Sequence, residues 1–175
     1  MTSPNWNVVL AEAKDRVRVH EGSVTILPNP DGYTRQVQTL AVFGTPFSSE
    51  TKTHWTFRLK NEPFIFQCGL FAGSPQDFLR RRNASSRPTS PPDSLEISAD
   101  NCFRNGLRLT CPSFLGEFQA NVVYSFCLDP VAGRLEARRS DVPGCAVMPL
   151  SLRTRYTFFV HFWQANTVKA EIEAL

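Results

Sequence analysis

Most of this chain alternates apolar and polar residues with a period of two, which is the pattern of strands that bury one face. The clearest run spans residues 54–60, where Trp55, Phe57 and Leu59 alternate with polar neighbours. Residues 17–26 show the same alternation in two halves, separated by Glu21-Gly22, which suits a tight turn. This segment therefore predicts a β-hairpin.

Further strands are predicted wherever the alternation resumes between turn residues. They cover residues 36–44, 64–73, 106–110, 122–129, 133–139, 156–163 and 167–174. The run at 64–73 is apolar on nearly both faces, so it fits a central strand covered on both sides, with Cys68 as a small buried filler. Many short strands with turns about every ten residues favour an all-β fold, an antiparallel two-sheet β-sandwich.

Two segments do not follow this period. Residues 5–13 fit a short helix capped by Asn5, but we favour the interpretation that Trp6 only closes the edge of the domain, and the choice between helix and strand stays open. Residues 75–100 are rich in Pro, Ser, Thr and Arg and poor in apolar residues, so we predict a flexible surface insertion there. Since neither half beside this insertion closes a pair of sheets alone, residues 1–175 are predicted to form a single domain.

The insertion contains three consecutive arginines, Arg80, Arg81 and Arg82. A solvated loop is the favoured interpretation, because nucleic-acid binding needs cations clustered along a face. Ser85 and Ser86 follow this basic run, and Ser90 precedes a proline, which are the settings of basophilic and proline-directed kinase targets. We expect these serines to be candidate phosphorylation sites, where a phosphate would cancel the basic charge.

Composition narrows the cellular setting. The 175 residues are 42% hydrophobic and carry a net charge of +3, which is ordinary for a globular protein and gives at most weak attraction to polyanions. No stretch approaches the roughly 20 apolar residues that a membrane helix needs. The five cysteines are an odd number and the N-terminus lacks the apolar core of a signal peptide. We therefore expect reduced thiols, no secretion and a cytoplasmic or nuclear location, with organelle import left open.

Candidate chemistry is sparse. Cys127 and Asp129 lie close together in the sequence and His161 offers a base for the thiol, but no nucleophile motif surrounds them. Asp129 is better explained as a turn residue that accepts backbone N–H groups from residues 130–133. No paired Cys or His spacing predicts a metal, and no glycine-rich phosphate loop is present. We expect no catalysis, no cofactor, no metal and no small-molecule substrate.

Residues 121–138, NVVYSFCLDPVAGRLEAR, resemble the late strands of the SPRY domain family. The positions that match the family pattern are Tyr124, Phe126, Leu128, Asp129, Gly133 and Leu135. Further segments follow in the family order at 23–26, 47–57, 67–70, 146–150 and 156–160, so the resemblance covers about residues 17 to 172. Thr157 stands where the family pattern has a proline, and the arginine-rich insertion is not standard. The resemblance implies a SPRY-like sandwich that acts as a non-catalytic protein-interaction module or adaptor. Since the sequence predicts no second domain to carry an activity, we further expect a subunit of a larger assembly.

The aromatic surplus indicates where a protein or peptide partner would bind. The strand at 156–163 has aromatic residues on both faces, so one set fills the sandwich. The other is covered either by neighbouring chain, such as the terminal segment at Val8, Val9 and Leu10, or by a partner. Candidate contact residues in the edge loops, the basic run and this strand are Phe43, Pro46, Phe47, Arg80, Arg81, Arg82, Phe114, Leu115, Phe159 and Trp163.

Two alternatives stay open at this point. A nucleic-acid-associated protein of a ribonucleoprotein complex would use the arginine-rich loop, with Arg87 and Arg104 joining the basic run against phosphates. A carbohydrate-binding jelly roll would share the two-sheet architecture, and such proteins display Trp or Tyr beside Asp or Asn on a concave face.

Overall fold

The computed structural model shows two sheets facing each other. The described residues are 6, 8–11, 14–20, 22–28, 39–61, 66–83, 92–98, 101–110, 118–163 and 170–175. Within them the strands are β1 Val8–Ala11, β2 Val17–His20, β3 Ser23–Ile26, β4 Thr39–Phe43, β5 Thr53–Leu59, β6 Phe66–Phe71, β7 Ser94–Ile97, β8 Cys102–Arg104, β9 Leu107–Leu109, β10 Val123–Asp129, β11 Arg134–Arg139, β12 Ala146–Pro149, β13 Thr157–Trp163 and β14 Ala170–Ala174. Helical structure in these ranges is a 3-10 turn at Lys14–Arg16 and the α-helix α1 at Pro75–Asn83.

The described strands form two antiparallel sheets of seven strands each. Sheet A has the order β1-β4-β13-β6-β7-β8-β9, and sheet B has the order β12-β11-β10-β5-β14-β3-β2. The hairpin predicted at residues 17–26 is β2 and β3, with Val17 opposite Ile26, and its turn places Gly22 at a φ of +85°. The predicted all-β sandwich is confirmed.

The sheets pack through the apolar faces that the alternation predicts. On sheet B, the ring of Phe126 stacks between those of Trp55 and Phe57, at centroid distances of 5.3 and 5.6 Å. Phe158 of sheet A approaches from the opposite side, 5.2 Å from Trp55. Stacked and tilted aromatic pairs at such distances add to the free energy gained by burying their area. These aromatic rings therefore fill the space between the sheets.

The N-terminal segment is a strand and not a helix. β1 pairs with β4 at the edge of sheet A, so the hypothesis of a short helix is wrong for this segment. The buried indole of Trp6 donates a hydrogen bond from Nε1 to the carbonyl oxygen of Gly22, 3.1 Å away, in the β2–β3 turn of sheet B. Trp6 thus closes the edge of the domain, as the favoured interpretation states.

The segment predicted as a flexible insertion contains regular structure. Residues 75–83 form α1, which begins with a capping box: the N–H of Asp77 donates to the Ser74 hydroxyl at 3.2 Å, and the N–H of Ser74 donates to Oδ2 of Asp77 at 3.0 Å. Residues 94–97 form β7, which lies inside sheet A between β6 and β8. The prediction for residues 75–100 is therefore wrong in these two parts. Ser85, Ser86, Arg87 and Ser90 lie outside the described residues.

α1 covers part of the outer face of sheet A. Phe78 packs there in a cluster with Ala41, Phe43, Phe71 and Phe159, all of them buried. The second aromatic face of β13 is therefore covered at Phe159 by neighbouring chain, but the cover is α1 and not the terminal segment at residues 8–10, which pairs with β4 at the edge of sheet A.

The cysteines differ in state. Cys102 is disulfide-bonded, so the expectation that every thiol is reduced does not hold for this residue. Cys68 is a free and fully buried thiol, as predicted for a filler, and Cys127 and Cys145 are free and half-buried. Among the described residues, no helix is long and apolar enough to cross a membrane.

Candidate functional site

Three chain connections join one another at one edge of the sandwich. They are residues 44–52 between β4 and β5, 130–133 between β10 and β11, and 150–156 between β12 and β13. The N–H of Phe47 donates to the Tyr156 carbonyl at 2.8 Å, that of Leu150 to Gly133 at 2.7 Å, and that of Arg153 to Pro130 at 2.8 Å. These connections form one continuous surface, called the rim below.

A polar network fastens the rim to sheet A. Arg104 on β8 holds both carboxylate oxygens of Asp93, with nitrogen to oxygen distances of 2.7 and 2.6 Å. The same guanidinium donates to the Ser151 hydroxyl at 3.0 Å and to the carbonyl oxygen of Pro149. The Tyr156 hydroxyl donates to Asp93 and accepts the N–H of Ser151 at 3.1 Å. Bidentate and charge-assisted bonds of this kind restrict the geometry of the segment that they hold.

The network changes the acidity of its members. Burial raises the pKa of Asp93, but hydrogen bonds from Tyr156 and Ser151 and the charge of Arg104 outweigh it, so the pKa lies below its ordinary value. Burial, together with the hydrogen bond to Asp93, raises the pKa of Tyr156 to about 12. Near neutral pH the carboxylate is therefore ionised and the phenol is protonated, which is the pairing that the hydrogen bond requires.

The β10–β11 turn is fixed by Asp129, as predicted. Its Oδ1 accepts the N–H of Ala132 at 2.9 Å, and its Oδ2 lies 3.0 Å from the Lys52 ammonium. The bond from Ala132, followed by that from Lys52, lowers the pKa of Asp129. Gly133 completes the turn at a φ of +62°, where a Cβ would lie 2.7 Å from the Leu152 side chain and 2.9 Å from the Leu150 carbonyl oxygen. The turn therefore needs glycine both for its backbone and for its space.

The rim exposes large apolar side chains. Val131 is 55% exposed and Leu152 is 66% exposed. On the adjoining β9, Leu107 is 69% exposed and pairs in register with Arg104, whose guanidinium reaches Ser151. Exposed apolar side chains held on an ordered backbone are typical of protein-binding surfaces.

The charge of the rim is mostly positive. Its three connections carry Lys52, Arg153 and Arg155 against one carboxylate, that of Glu50, and all four residues are exposed. Lys52 is paired with Asp129 at the end of β10, so Arg153 and Arg155 supply the excess positive charge. Neither Arg153 nor Arg155 forms an ion pair with a described residue. The rim therefore presents apolar anchors beside unpaired cations.

A groove of about 470 Å³ begins at the rim and follows the outer face of sheet B. It is lined by residues 52–56 of the β5 strand and its approach, and by Ser125 and Phe126 of β10. Beside it, the imidazole Nε2 of His54 lies 3.5 Å from the thiol of Cys127. Strand register accounts for this contact, because His54 and Cys127 stand directly opposite each other on β5 and β10.

The sequence offers His161 as a base for the Cys127 thiol, but the structure does not bring these two side chains together. His161 lies on sheet A, where it is buried and its Nδ1 lies 3.3 Å from Oε1 of Gln67. Cys127 lies on sheet B, and its neighbour is His54. Burial, followed by the negative charge of Glu136, raises the pKa of the Cys127 thiol.

Several predicted contact residues are not on the surface. Phe43 belongs to β4, and with Phe159 it is buried beneath α1. Phe47 is buried against Trp55, with ring centroids 4.7 Å apart. These three residues cannot act as exposed anchors, because the domain's own core takes up their rings. Pro46 is exposed on the rim.

The predicted arginine loop is helical and partly paired within the domain. Arg81 donates to the Ser94 hydroxyl and lies 3.8 Å from the Glu96 carboxylate. Arg80 is exposed and lies 3.7 Å from Asp77 on its own helix. Arg104, assigned to phosphate contacts in the nucleic-acid alternative, is held by Asp93.

Other predicted residues cannot be placed. Arg82 and Trp163 belong to α1 and β13, but their side chains lie outside the described part of the chain, as do Phe114 and Leu115 altogether. In the described residues, no group of three or more His, Cys, Asp or Glu side chains could hold a metal ion.

The sequence did not single out Val131, Leu107, Leu152 or His54. Nothing local distinguishes an exposed leucine from a buried one in a short polar segment, and the contact of His54 with Cys127 depends on strand pairing across 73 residues. Assigning the register between β5 and β10 from the sequence would have predicted the contact of His54 with Cys127.

Solved structures support the fold that the motifs predict. The SPRY domain of human HERC1 is 15% identical, covers 94% of this chain and 92% of its own, and gives a TM-score of 0.62. The TRIM65 PSpry domain is 14% identical over 99% of this chain and 90% of its own, with a TM-score of 0.59. A Bauhinia forficata lectin in complex with GalNAc is 9% identical over 95% and 89%, with a TM-score of 0.52.

The sequence comparisons find no relative: no family model matches this chain, and no curated protein matches it. The structural likeness shows that the chain has a SPRY-like β-sandwich fold, and it shows the fold alone.

Proposed function

We propose that this protein is a non-catalytic interaction module, an adaptor or subunit of a larger assembly, whose rim binds an acidic segment of a partner protein around an apolar anchor. The observation that carries the proposal is Leu152, a large apolar side chain that is 66% exposed and held over Gly133 by ordered backbone. SPRY-type domains are generally protein-interaction modules, which supports the kind of function.

The rim is preorganised for binding. The network of Asp93, Arg104 and Tyr156 holds residues 150–156, and the Asp129 turn holds residues 130–133. A surface that is ordered before binding loses less conformational entropy when a partner arrives, so more of the contact energy appears as affinity. An exposed leucine on such a surface suits a partner pocket or an apolar side chain of a bound peptide.

Charge indicates the character of the partner. Arg153 and Arg155 follow Leu152 closely in the sequence, whereas the third cation of the rim, Lys52, is paired with Asp129. Opposite charge accelerates association and excludes partners of like charge. An acidic segment with at least one apolar side chain is therefore the partner that fits.

The proposal is tested with purified protein and a displayed library of random peptides. We expect the selected peptides to combine Asp or Glu with an apolar residue, and their affinity to fall as the ionic strength rises. Leu152→Asp should weaken the best peptide by about tenfold or more. Val19→Asp, which changes an exposed valine on β2, is the matched control and should bind normally.

Three results would overturn the proposal: peptides without acidic enrichment, equal affinity of the Leu152→Asp and control variants, or no peptide selected at all. Single-stranded RNA and a glycan array serve as parallel probes. Binding of RNA or a glycan that Leu152→Asp abolishes would assign the rim to the corresponding alternative instead.

A further inference from the structure

We propose that Cys127 is a thiol-modification site, at which the protein forms a mixed disulfide with a small disulfide and His54 takes the thiol proton. This inference is independent of the function proposed for the rim. It stands on three neighbouring observations: an accessible free thiol, a base at hydrogen-bonding distance, and an open groove beside the base.

Strand register brings the thiol and the base together. Cys127 on β10 stands opposite His54 on β5 and opposite Glu136 on β11, so the three side chains form a row across the outer face of sheet B. The Cys127 sulfur lies 3.5 Å from Nε2 of His54, within reach for a thiol that donates its proton to an imidazole. His54 is exposed and Cys127 is half-buried, so reagents in solution can reach the pair.

The base has a specific task at this position. Burial and the carboxylate of Glu136 favour the protonated thiol of Cys127. A thiolate and not a thiol attacks disulfides, so this sulfur reacts slowly unless a neighbour removes its proton. The imidazole nitrogen of His54, 3.5 Å from the sulfur, can accept that proton.

A groove beside the base gives a small disulfide room to approach. Its volume of about 470 Å³ lies within the range of small-molecule sites, roughly 300–1,000 Å³. His54 lines this groove together with Thr56 and Ser125, and Lys52, whose ammonium is paired with Asp129, lies at its rim end.

The reaction balances without any further reagent. The S–H proton of Cys127 moves to Nε2 of His54, and the resulting thiolate attacks one sulfur of the small disulfide. The bond between Cys127 and that sulfur forms as the original disulfide bond breaks, and the departing thiolate takes the proton from the imidazolium. One disulfide is consumed and one is formed.

The other free thiols supply internal references. The Cys145 thiol is half-buried, as Cys127 is, and donates to the carbonyl oxygen of Ala146 at 3.6 Å. Cys68 is fully buried and should stay unmodified. Both thiols meet the same reagent in one sample. A difference between the modification rates of Cys127 and Cys145 therefore reports the environment of each sulfur.

The test incubates the protein with oxidised glutathione and follows the modified peptides by mass spectrometry. At neutral pH we expect Cys127 to react at least about tenfold faster than Cys145, which is a modest effect for a positioned base.

His54→Gln should bring the rate at Cys127 down to that at Cys145 or below. Because Cys127 and Cys145 are already compared within the unmodified sequence, a poorly folded variant leaves the test intact. A rate at Cys127 no greater than that at Cys145 would overturn the proposal. So would a well-folded His54→Gln variant that reacts as fast as the original protein.

Discussion

The ring of Phe78 on α1 meets the ring of Phe43 on β4 edge to face, with centroids 5.3 Å apart and planes at 81°. The same ring lies 5.5 Å from Phe71 and 4.9 Å from Phe159, so one helical side chain closes a pocket made by three strands of sheet A. α1 is attached to the sandwich largely through this contact and through the pairing of Arg81 with Ser94 and Glu96.

Phe78→Ala is therefore expected to destabilise the domain. Truncation of a buried phenylalanine leaves a cavity and costs about 3–5 kcal/mol of the free energy of unfolding. Arg80→Ala, an exposed change on the same helix, is the control and should stay within about 0.5 kcal/mol. Urea denaturation followed by tryptophan fluorescence measures both. Equal stability of the two variants would show that α1 is not anchored by Phe78.

The fold was predictable because the period of two records which face of each strand is buried. Trp55, Phe57, Phe126 and Leu128 all lie inside, as their alternation predicts. α1 was missed because it presents Phe78 as its main apolar contact amid arginines, so its sequence has the composition of a loop. Its capping box at Ser74 and Asp77 was the readable signal.

The site was less predictable than the fold for a physical reason. Whether Phe43 and Phe159 are exposed depends on α1, which comes from a distant part of the chain. The exposure of Leu152 likewise depends on how residues 150–156 lie against the 130–133 turn. Alternation assigns a side chain to a face of its sheet, but it does not say what covers that face.

Asp93→Asn is expected to loosen the rim and to change how stability depends on pH. The substitution removes the charge that Arg104 and Tyr156 contact, and should cost about 1–3 kcal/mol at neutral pH. Because the folded-state pKa of Asp93 is lowered, its contribution is present above the ordinary carboxyl value of about 3.9 and is lost as the pH falls through the lower folded value.

The measurement is the difference in free energy of unfolding between the original protein and Asp93→Asn at a series of pH values. This difference should be constant above about pH 5 and shrink below about pH 4. Glu50→Gln, at an exposed carboxylate of the same rim, should show no such difference. A gap that persists unchanged into acid would mean that the charge of Asp93 does not stabilise the rim.

Gly133→Ala should cost more stability than Gly106→Ala, although both glycines have a left-handed φ. At Gly133, with a φ of +62°, the new Cβ would lie 2.7 Å from Leu152 and 2.9 Å from the Leu150 carbonyl oxygen, whereas at Gly106, with a φ of +79°, it would lie 3.4 Å from the end of the flexible Arg81 side chain. Backbone strain costs about 1–2 kcal/mol for a non-glycine residue in the left-handed region and is common to both changes, so a larger loss at position 133 reports the contact with Leu152. Denaturant unfolding gives the two losses, and peptide affinity gives a second reading, because only Gly133→Ala displaces the side chain proposed as the anchor. Equal losses together with unchanged peptide affinity would show that Leu152 moves aside freely and that the rim is not held in the geometry described.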